Sequence, residues 1–546
     1  METESKKRLG AFSVSSFIMS LYLIFMLGVF PLYYRYQYYK MGDWKYKLFQ
    51  YASVLCVLVL FCFLSGVVLW RIIKGRFQEV RQLFSRNFSV LDSAVLLYFA
   101  TVTVSYLLSD FKKTGFYGAY GWYMGYLAQI LFVAVYFLVS RVWEFQYEYL
   151  ALLLVVSAAV FLIGILHRFD IDALWIYGDL ELKYKILFLS TMGQSSWYSS
   201  FLCTVFPLGL YLFFVADKVW LRLTAGIFSV ISMMTLVTQN TDSAFLSLAA
   251  VLFLLFYLAF DGKKQMCRFL EVLLLVSGSF TVMGMCQRIF TERMIPIEKL
   301  SIFMTQSWLT IVVFGVLLIL YGWICFLQAE KMQNGDMKHG AVDRNSESKP
   351  LSRKFYWVLL AGTGMGILLM ILFIVLNSSG FLAEYFGYQN VDNYLLFSDN
   401  WGNQRGFAWR FTCEAYAGLP WLRKLFGVGP DCYVSYNNSI PELAQQVKAF
   451  WGDLSLTNAH NEYLTKLYDL GLFGLFSYVG MLGSAVWIFV KKRKDHILLP
   501  AFALCTVSYM AHLIFCYEQV CCTPFLYILM GFGSNLIYNN VKKSTY

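Results

Sequence analysis

The sequence predicts an all-α polytopic membrane protein that crosses the bilayer about fourteen times. Three observations carry this expectation. Of 546 residues, 59% are apolar and only 14% are charged, whereas a soluble globular chain carries about 25% charged residues. The mean hydropathy is +0.58. Stretches of roughly 20 nearly charge-free residues recur along the whole chain, each long enough for a hydrocarbon core. These runs are unbroken rather than alternating, so helices and not barrel strands satisfy the backbone in lipid. A water-soluble enzyme, a disulfide-built secreted scaffold and a disordered chain are thereby excluded.

In chain order, apolar runs between charged punctuation place helices near 12–33, 49–70, 90–108, 118–140, 148–166, 198–215, 219–238, 243–260, 268–287, 305–328, 355–376, 470–490, 497–516 and 521–538. The first follows Lys6, Lys7 and Arg8 but runs too long for a signal peptide and lacks a small-x-small cleavage site, so it reads as an uncleaved anchor. With the N-terminus in the cytoplasm, Arg71, Lys74, Arg76, Arg81 and Arg86, a 329–354 linker and Lys491 to Lys494 all fall inside, as the distribution of Lys and Arg requires. That bias, together with anionic headgroups, accounts for the net charge of +11. No nucleic-acid module is visible, and membrane lipids are the expected surroundings. The layout reads as a bundle of about eleven spans over 1–376, an extracytoplasmic segment 377–469 and about three further spans over 470–546, with both termini cytoplasmic. The linker has the Ser, Lys, Gly and Asp composition of flexible chain.

The 377–469 segment breaks the pattern, since about 90 residues without a span far exceed an ordinary loop. It is rich in Trp, Tyr, Phe and Leu, and a helical pattern from Arg405 to Tyr416 ends at Gly418 and Pro420, so it should fold as a small helical cap. A second outer loop, 167–197, is expected to contribute to the same surface.

Within the cap, His460 is the lone histidine, in Thr457-Asn-Ala-His-Asn-Glu-Tyr-Leu464. An imidazole suits a general base, and Asn458, Asn461 and Glu462 flank it as orienting or substrate-binding groups; a surface or capping histidine is the plain alternative. Upstream, Arg405, Trp409 and Thr412 share one helical face, while Arg410 and Glu414 pair on another. That leaves Arg405 free to grip a phosphate or pyrophosphate bidentately, unless it only meets lipid headgroups or pairs with an acid. In Leu425-Phe-Gly-Val-Gly-Pro-Asp-Cys-Tyr433, Gly427 and Gly429 permit a tight turn and close backbone approach next to Asp431; the strand and helix of a dinucleotide site are missing. Arg410, Trp409, Asn461, Glu462, Gly427, Gly429 and Asp431 are thus the substrate-binding candidates beside the catalytic pair His460 and Arg405. Cys413 and Cys432 are the only two of twelve cysteines on the outer loop, and their pairing is open. No Cys, His or carboxylate cluster has metal-ligand spacing, so neither metal nor cofactor is expected.

In order and spacing, the Arg405-x-x-x-Trp409 helix start, Leu425-Phe-Gly-Val-Gly-Pro-Asp431 and Ala459-His-Asn-Glu-Tyr-Leu464 leading into Leu-Gly-Leu-Phe-Gly474 resemble the O-antigen ligase and O-antigen polymerase family of bacterial envelope enzymes. Gly193-Gln-Ser-Ser-Trp-Tyr-Ser199 is similar to a degraded form of the family's Gly-Asn-x-Asn element. The resemblance implies a GT-C-like, metal-independent, inverting glycosyltransferase at the outer face of the plasma membrane. Such an enzyme moves or polymerises a glycan from undecaprenyl pyrophosphate onto the hydroxyl of a glycan or lipid-glycan acceptor. By position it makes His460 the base and Arg405 the pyrophosphate ligand. One departure stands out: where the family often has Ser-Arg-Gly, this chain has Thr241-Asp-Ser-Ala244, with Asp242 in place of arginine and Arg410, Arg423, Lys424 or Arg288 as possible substitutes. The rival readings are a lipid-linked oligosaccharide flippase, which would line mid-membrane with charge, and a non-catalytic assembly protein.

Overall fold

The computed structural model describes residues 14–78, 88–333, 351–388 and 394–544. Lys6 to Arg8, Arg81, Arg86, His339 and most of the 329–354 linker lie outside them. The structure is 76% helical, and the strand pair Phe188–Leu189 with Gly193–Gln194 is the sole β element among the described residues. Ten helices are long and apolar enough to cross a membrane: α1 (Val14–Leu32), α2 (Met41–Ile73), α3 (Val90–Leu108), α5 (Tyr147–Arg168), α6 (Ser195–Val215), α7 (Val219–Thr238), α9 (Lys263–Ile289), α10 (Trp308–Leu327), α11 (Lys354–Ser378) and α16 (Glu462–Lys491). The remaining expected segments are helices too, but α4 (Tyr126–Arg141), α8 (Ser243–Ala259) and α17 (Leu499–His512) are shorter, and α18 (Thr523–Ser544) is not among the ten. The expected fourteen spans therefore correspond to ten full-length candidates and four others.

Boundaries shift where polar groups find partners. The fourth helix begins at Tyr126 and not near 118, because Gly118 and Gly121 at φ 89° and 85° turn the chain and the Asp431 carboxylate accepts the Ala119 and Met124 N–H groups at 2.7 and 2.9 Å. The twelfth begins at Glu462, ahead of the expected 470, because Lys466 bonds Glu462 and Glu518 at 3.0 and 2.8 Å and hides three buried charges from a hydropathy reading.

Consecutive helices run antiparallel, so alternate loops meet at the same end of the bundle. At one end Asp261 takes Arg493 at 2.9 Å and also pairs with Arg353; the ring of His496 lies against Tyr147 there. At the other end Arg423 pairs with Asp110, Tyr394 donates to Asp242 at 3.2 Å and Tyr517 donates to Gln194 at 3.1 Å. Helix α11 is peripheral. Only Tyr356 and Asn377 are buried along it, near its two ends.

The segment after α11 folds as helices α12 (Trp401–Ala417), α13 (Trp421–Phe426), α14 (Tyr433–Ser439) and α15 (Pro441–Trp451), with a core of its own around Phe407, Phe411, Leu419, Val428 and Tyr433 that extends to Tyr468 of α16. Two backbone bonds dock it: Val428 N–H to Tyr468 O at 3.2 Å and Gly429 N–H to Asp469 O at 2.9 Å. The helix opens to expose these carbonyls at Gly471 (φ 72°, ψ −171°). A Cβ on Gly471 would lie 2.3 Å from the Leu425 carbonyl carbon, and one on Gly427 2.2 Å from Asp469 O. Gly471→Ala should therefore cost about 1–3 kcal/mol, read as a fall in melting temperature in detergent; an unchanged melting temperature would count against the clasp.

Candidate functional site

Site residues arrive on loops from one end of the bundle. Arg405 opens the regular part of α12, because Gly402, Asn403 and Gln404 are all left-handed (φ 58°, 60° and 68°) and the helix proper starts after them. Its Nη1 donates to Gly402 O at 2.9 Å, its buried Nε has no partner, and among the described residues no carboxylate lies within ion-pair distance. An arginine part-buried without a counter-ion carries an uncompensated desolvation cost, which an anionic ligand would relieve. Trp409, one turn on, stacks on Phe515 at 5.7 Å and against Trp401 at 5.3 Å. Thr412 is buried and bonds Tyr433 at 2.6 Å, so it packs the core.

His460 sits at φ 50° in an Asx turn, its N–H donating to Asn458 Oδ1 at 2.8 Å. Its ring meets the edge of Tyr517 at 5.3 Å. Burial, and then the positive field of Arg405, lower its pKa to about 4, so the imidazole is neutral at pH 7. Arg405 acts on other groups as well. Burial pushes the Asp242 carboxyl up, while the Tyr394 hydroxyl and Arg405 pull it back. Glu298 is likewise raised by burial and by Asp242, against Arg405. Arg405, His460, Asp242, Glu298 and Tyr517 thus share one electrostatic neighbourhood.

Several expected contacts fall elsewhere. The orientation expected of Asn461 and Glu462 is not seen at the imidazole: Asn461 caps α16 by accepting Leu464 N–H at 3.1 Å, and Glu462 faces Lys466 and the Glu518 N–H. Gly427 faces the opened turn of α16 and Gly429 faces Ser109 at the end of α3, so neither lines an open surface. Asp431 ties down the 119–124 turn, and burial pushes its carboxyl up to about 7. Arg410 pairs with Glu414 as expected and also, at 2.8 Å, with Asp399. Arg423 pairs with Asp110 but keeps a buried Nη1 without a partner, and Arg288 donates to Gln306 O, so of these substitutes for the missing arginine Arg410 is the one held by two carboxylates. Cys413 and Cys432 are both free thiols, exposed and buried respectively.

The structure adds residues that spacing along the chain cannot reveal. Tyr517 carries Gln194 of the 193–199 element to the site, so the 167–197 loop does reach this surface. His512 lies buried with both ring nitrogens on hydroxyls, Ser200 at 2.7 Å and Ser243 at 2.8 Å, and thereby braces α6, α8 and α17 beneath it.

Residues 294–479 match the family model Wzy_C, described as O-antigen ligase. The resemblance drawn from the motifs is borne out. The matched stretch contains Arg405, Gly427, Gly429 and His460 with their helices, and leaves Gln194 and Asp242 outside. No curated protein matches the chain. An O-antigen ligase domain within a multi-pass helical membrane protein supports, at family level, a membrane glycosyltransferase of polysaccharide biosynthesis acting on a lipid-linked glycan and an acceptor.

Because Arg405 is the second cause of the lowered histidine pKa, Arg405→Gln should raise the pKa of His460 while burial keeps it below 6.5. The check is the pH dependence of His460 modification by diethylpyrocarbonate in the two proteins; superimposable profiles would remove the coupling.

Proposed function

We propose that the protein transfers or polymerises a glycan from undecaprenyl pyrophosphate onto an acceptor hydroxyl at the outer face of a bacterial plasma membrane, as an inverting, metal-independent transferase. The observation that carries this reading is Arg405: a part-buried guanidinium without a carboxylate partner, in the same electrostatic neighbourhood as a neutral histidine. In this reading Arg405 holds the pyrophosphate in a forked grip. The acceptor oxygen attacks the anomeric carbon from the face opposite the pyrophosphate, His460 takes the hydroxyl proton, and the bond from the anomeric carbon to the pyrophosphate oxygen breaks. The developing charge on the leaving group falls on Arg405, where a fixed cation in a water-poor site stabilises it. The orientation is supported by charge: the end opposite the site carries Arg71, Lys74, Lys218, Lys263, Lys264 and Lys491 to Lys494, as a cytoplasmic face should.

The pair also suggests an order of events. With the site empty, Arg405 holds the basicity of His460 down; a bound pyrophosphate offsets that charge, so the base strengthens once donor is present. The acid limb of kcat should therefore lie at higher pH than that of kcat/KM, which for a free-enzyme pKa of about 4 stays flat down to mildly acidic pH. Coincident limbs would contradict the offset.

Purified protein supplied with an undecaprenyl-pyrophosphate oligosaccharide and an acceptor should release lipid pyrophosphate. His460→Ala should slow release about a hundredfold to ten-thousandfold, and Arg405→Lys should be damaging because an ammonium cannot reproduce the fork. A ladder of products identifies a polymerase and a single transfer a ligase. Equal release by wild type and His460→Ala would remove His460 as base.

A further inference from the structure

The short helix α13 sits at a level of the fold where lipid must end. The stretch of α16 from Lys491 back to Gly471 rises roughly 30 Å, the thickness of a hydrocarbon core. Along it Phe473 and Phe476 are 49% and 69% exposed, as lipid-facing side chains are. Helix α13 is fixed at the upper limit of that stretch: Gly427, just after it, packs on the opened turn, and the ring of Phe426 lies against Phe473 at 5.2 Å. Helix α3 ends beside it, with Leu107 and Leu108 exposed and Asp110 paired with Arg423.

Two kinds of side chain are displayed there. Trp421 is 72% exposed and Leu422 is exposed next to it; such a pair is costly in water and favourable at a bilayer interface, where Trp belongs by its amphipathic ring. Around them the charged residues of 109–113 and 421–426 are Lys112, Lys113, Arg423 and Lys424 against Asp110 alone, a surplus of three positive charges. Lys112 caps α3 by donating to the Tyr106 and Leu107 carbonyls at 3.1 and 2.6 Å. Lys113 is exposed and Lys424 half-buried, and Arg423 keeps a buried Nη1 without a partner among the described residues. Cations gathered at headgroup level attract negatively charged lipid. We propose that α13 is an in-plane membrane anchor: Trp421 and Leu422 enter the interface of the leaflet on the site side, and the surrounding cations hold the phosphates of anionic phospholipids. Because α13 joins α12 to the clasp on α16, the anchor ties the height of Arg405 to the bilayer surface. The proposal rests on the chain spanning a membrane and not on the transferase reading.

The test uses full-length protein labelled with fluorotryptophan in phosphatidylcholine nanodiscs, where the fluorine resonance missing from Trp421→Phe belongs to Trp421. Traces of phosphatidylglycerol or phosphatidylcholine carrying a nitroxide just below the headgroup are then added in turn. Both lipids should broaden the Trp421 resonance more than a water-soluble nitroxide does. The phosphatidylglycerol probe should broaden it about fivefold more than the phosphatidylcholine probe, the worth of one near-surface cation. That excess should fall to parity in Lys113→Gln/Lys424→Gln and, for wild type, in high salt. Broadening by the water-soluble nitroxide alone would show that α13 does not meet the bilayer. Equal broadening by the two lipids in wild type, or an excess that survives both the lysine substitutions and salt, would overturn the anionic choice. The salt series needs no variant, so a failure of the double variant to fold leaves the proposal open to refutation.

Discussion

Two backbone hydrogen bonds, from Val428 and Gly429 to the carbonyls of Tyr468 and Asp469, hold the relation between the loop-borne helices and the membrane bundle. They exist because α16 gives up its own helical ladder at Gly471, and a freed carbonyl in such a place must be satisfied by protein. Ser105 Oγ adds a second donor to Asp469 O, and Ser109 Oγ binds Val428 O, so α3 joins the same junction. The junction bears on how Arg405 stands against His460: from Val428 the chain leads back through α13 to α12 and Arg405, while Tyr468 and Asp469 lie in the second turn of α16, whose cap Asn461 follows His460.

The chemistry depends on an imbalance. Of the arginines between α11 and α16, Arg410 is neutralised twice over and Arg423 by Asp110. Arg405 alone among these three has no acid within reach, and Asp242 and Glu298 stand near enough to feel its field without pairing. A second arginine at position 242 would have given the site two cations. With aspartate there the site carries one cation beside two carboxyl groups raised by burial, so the anion-holding power rests on a single guanidinium.

Much of this was legible along the chain and some of it was not, for physical reasons. Apolar runs mark helices because lipid tolerates no unpaired backbone, and each expected segment does coincide with a helix. The start of α12 at Arg405 and the Arg410–Glu414 pair follow from helical spacing. The start of α16 was hidden because Glu462, Lys466 and Asp469 are polar by composition yet buried by their environment, and their partner Glu518 lies some fifty residues away. Asn461 is a helix cap by residue type, but its place beside a candidate base drew it into a binding role. Tyr517, Gln194 and the two serines on His512 are long-range neighbours whose meeting depends on antiparallel packing, which spacing in one chain does not encode.

Helix α11 touches the rest of the protein chiefly at its ends. Arg353, just before it, pairs with Asp261, and Tyr356 nests among Phe253, Phe256 and Tyr257; at the far end Asn377 binds Leu395 O at 2.8 Å. Between these fastenings it is a spoke and not part of a wall. Acyl chains must fill the space that side chains fill elsewhere, so the bilayer itself serves as a packing element beneath the loop that carries Arg405, and that flank of the site is bounded by a fluid.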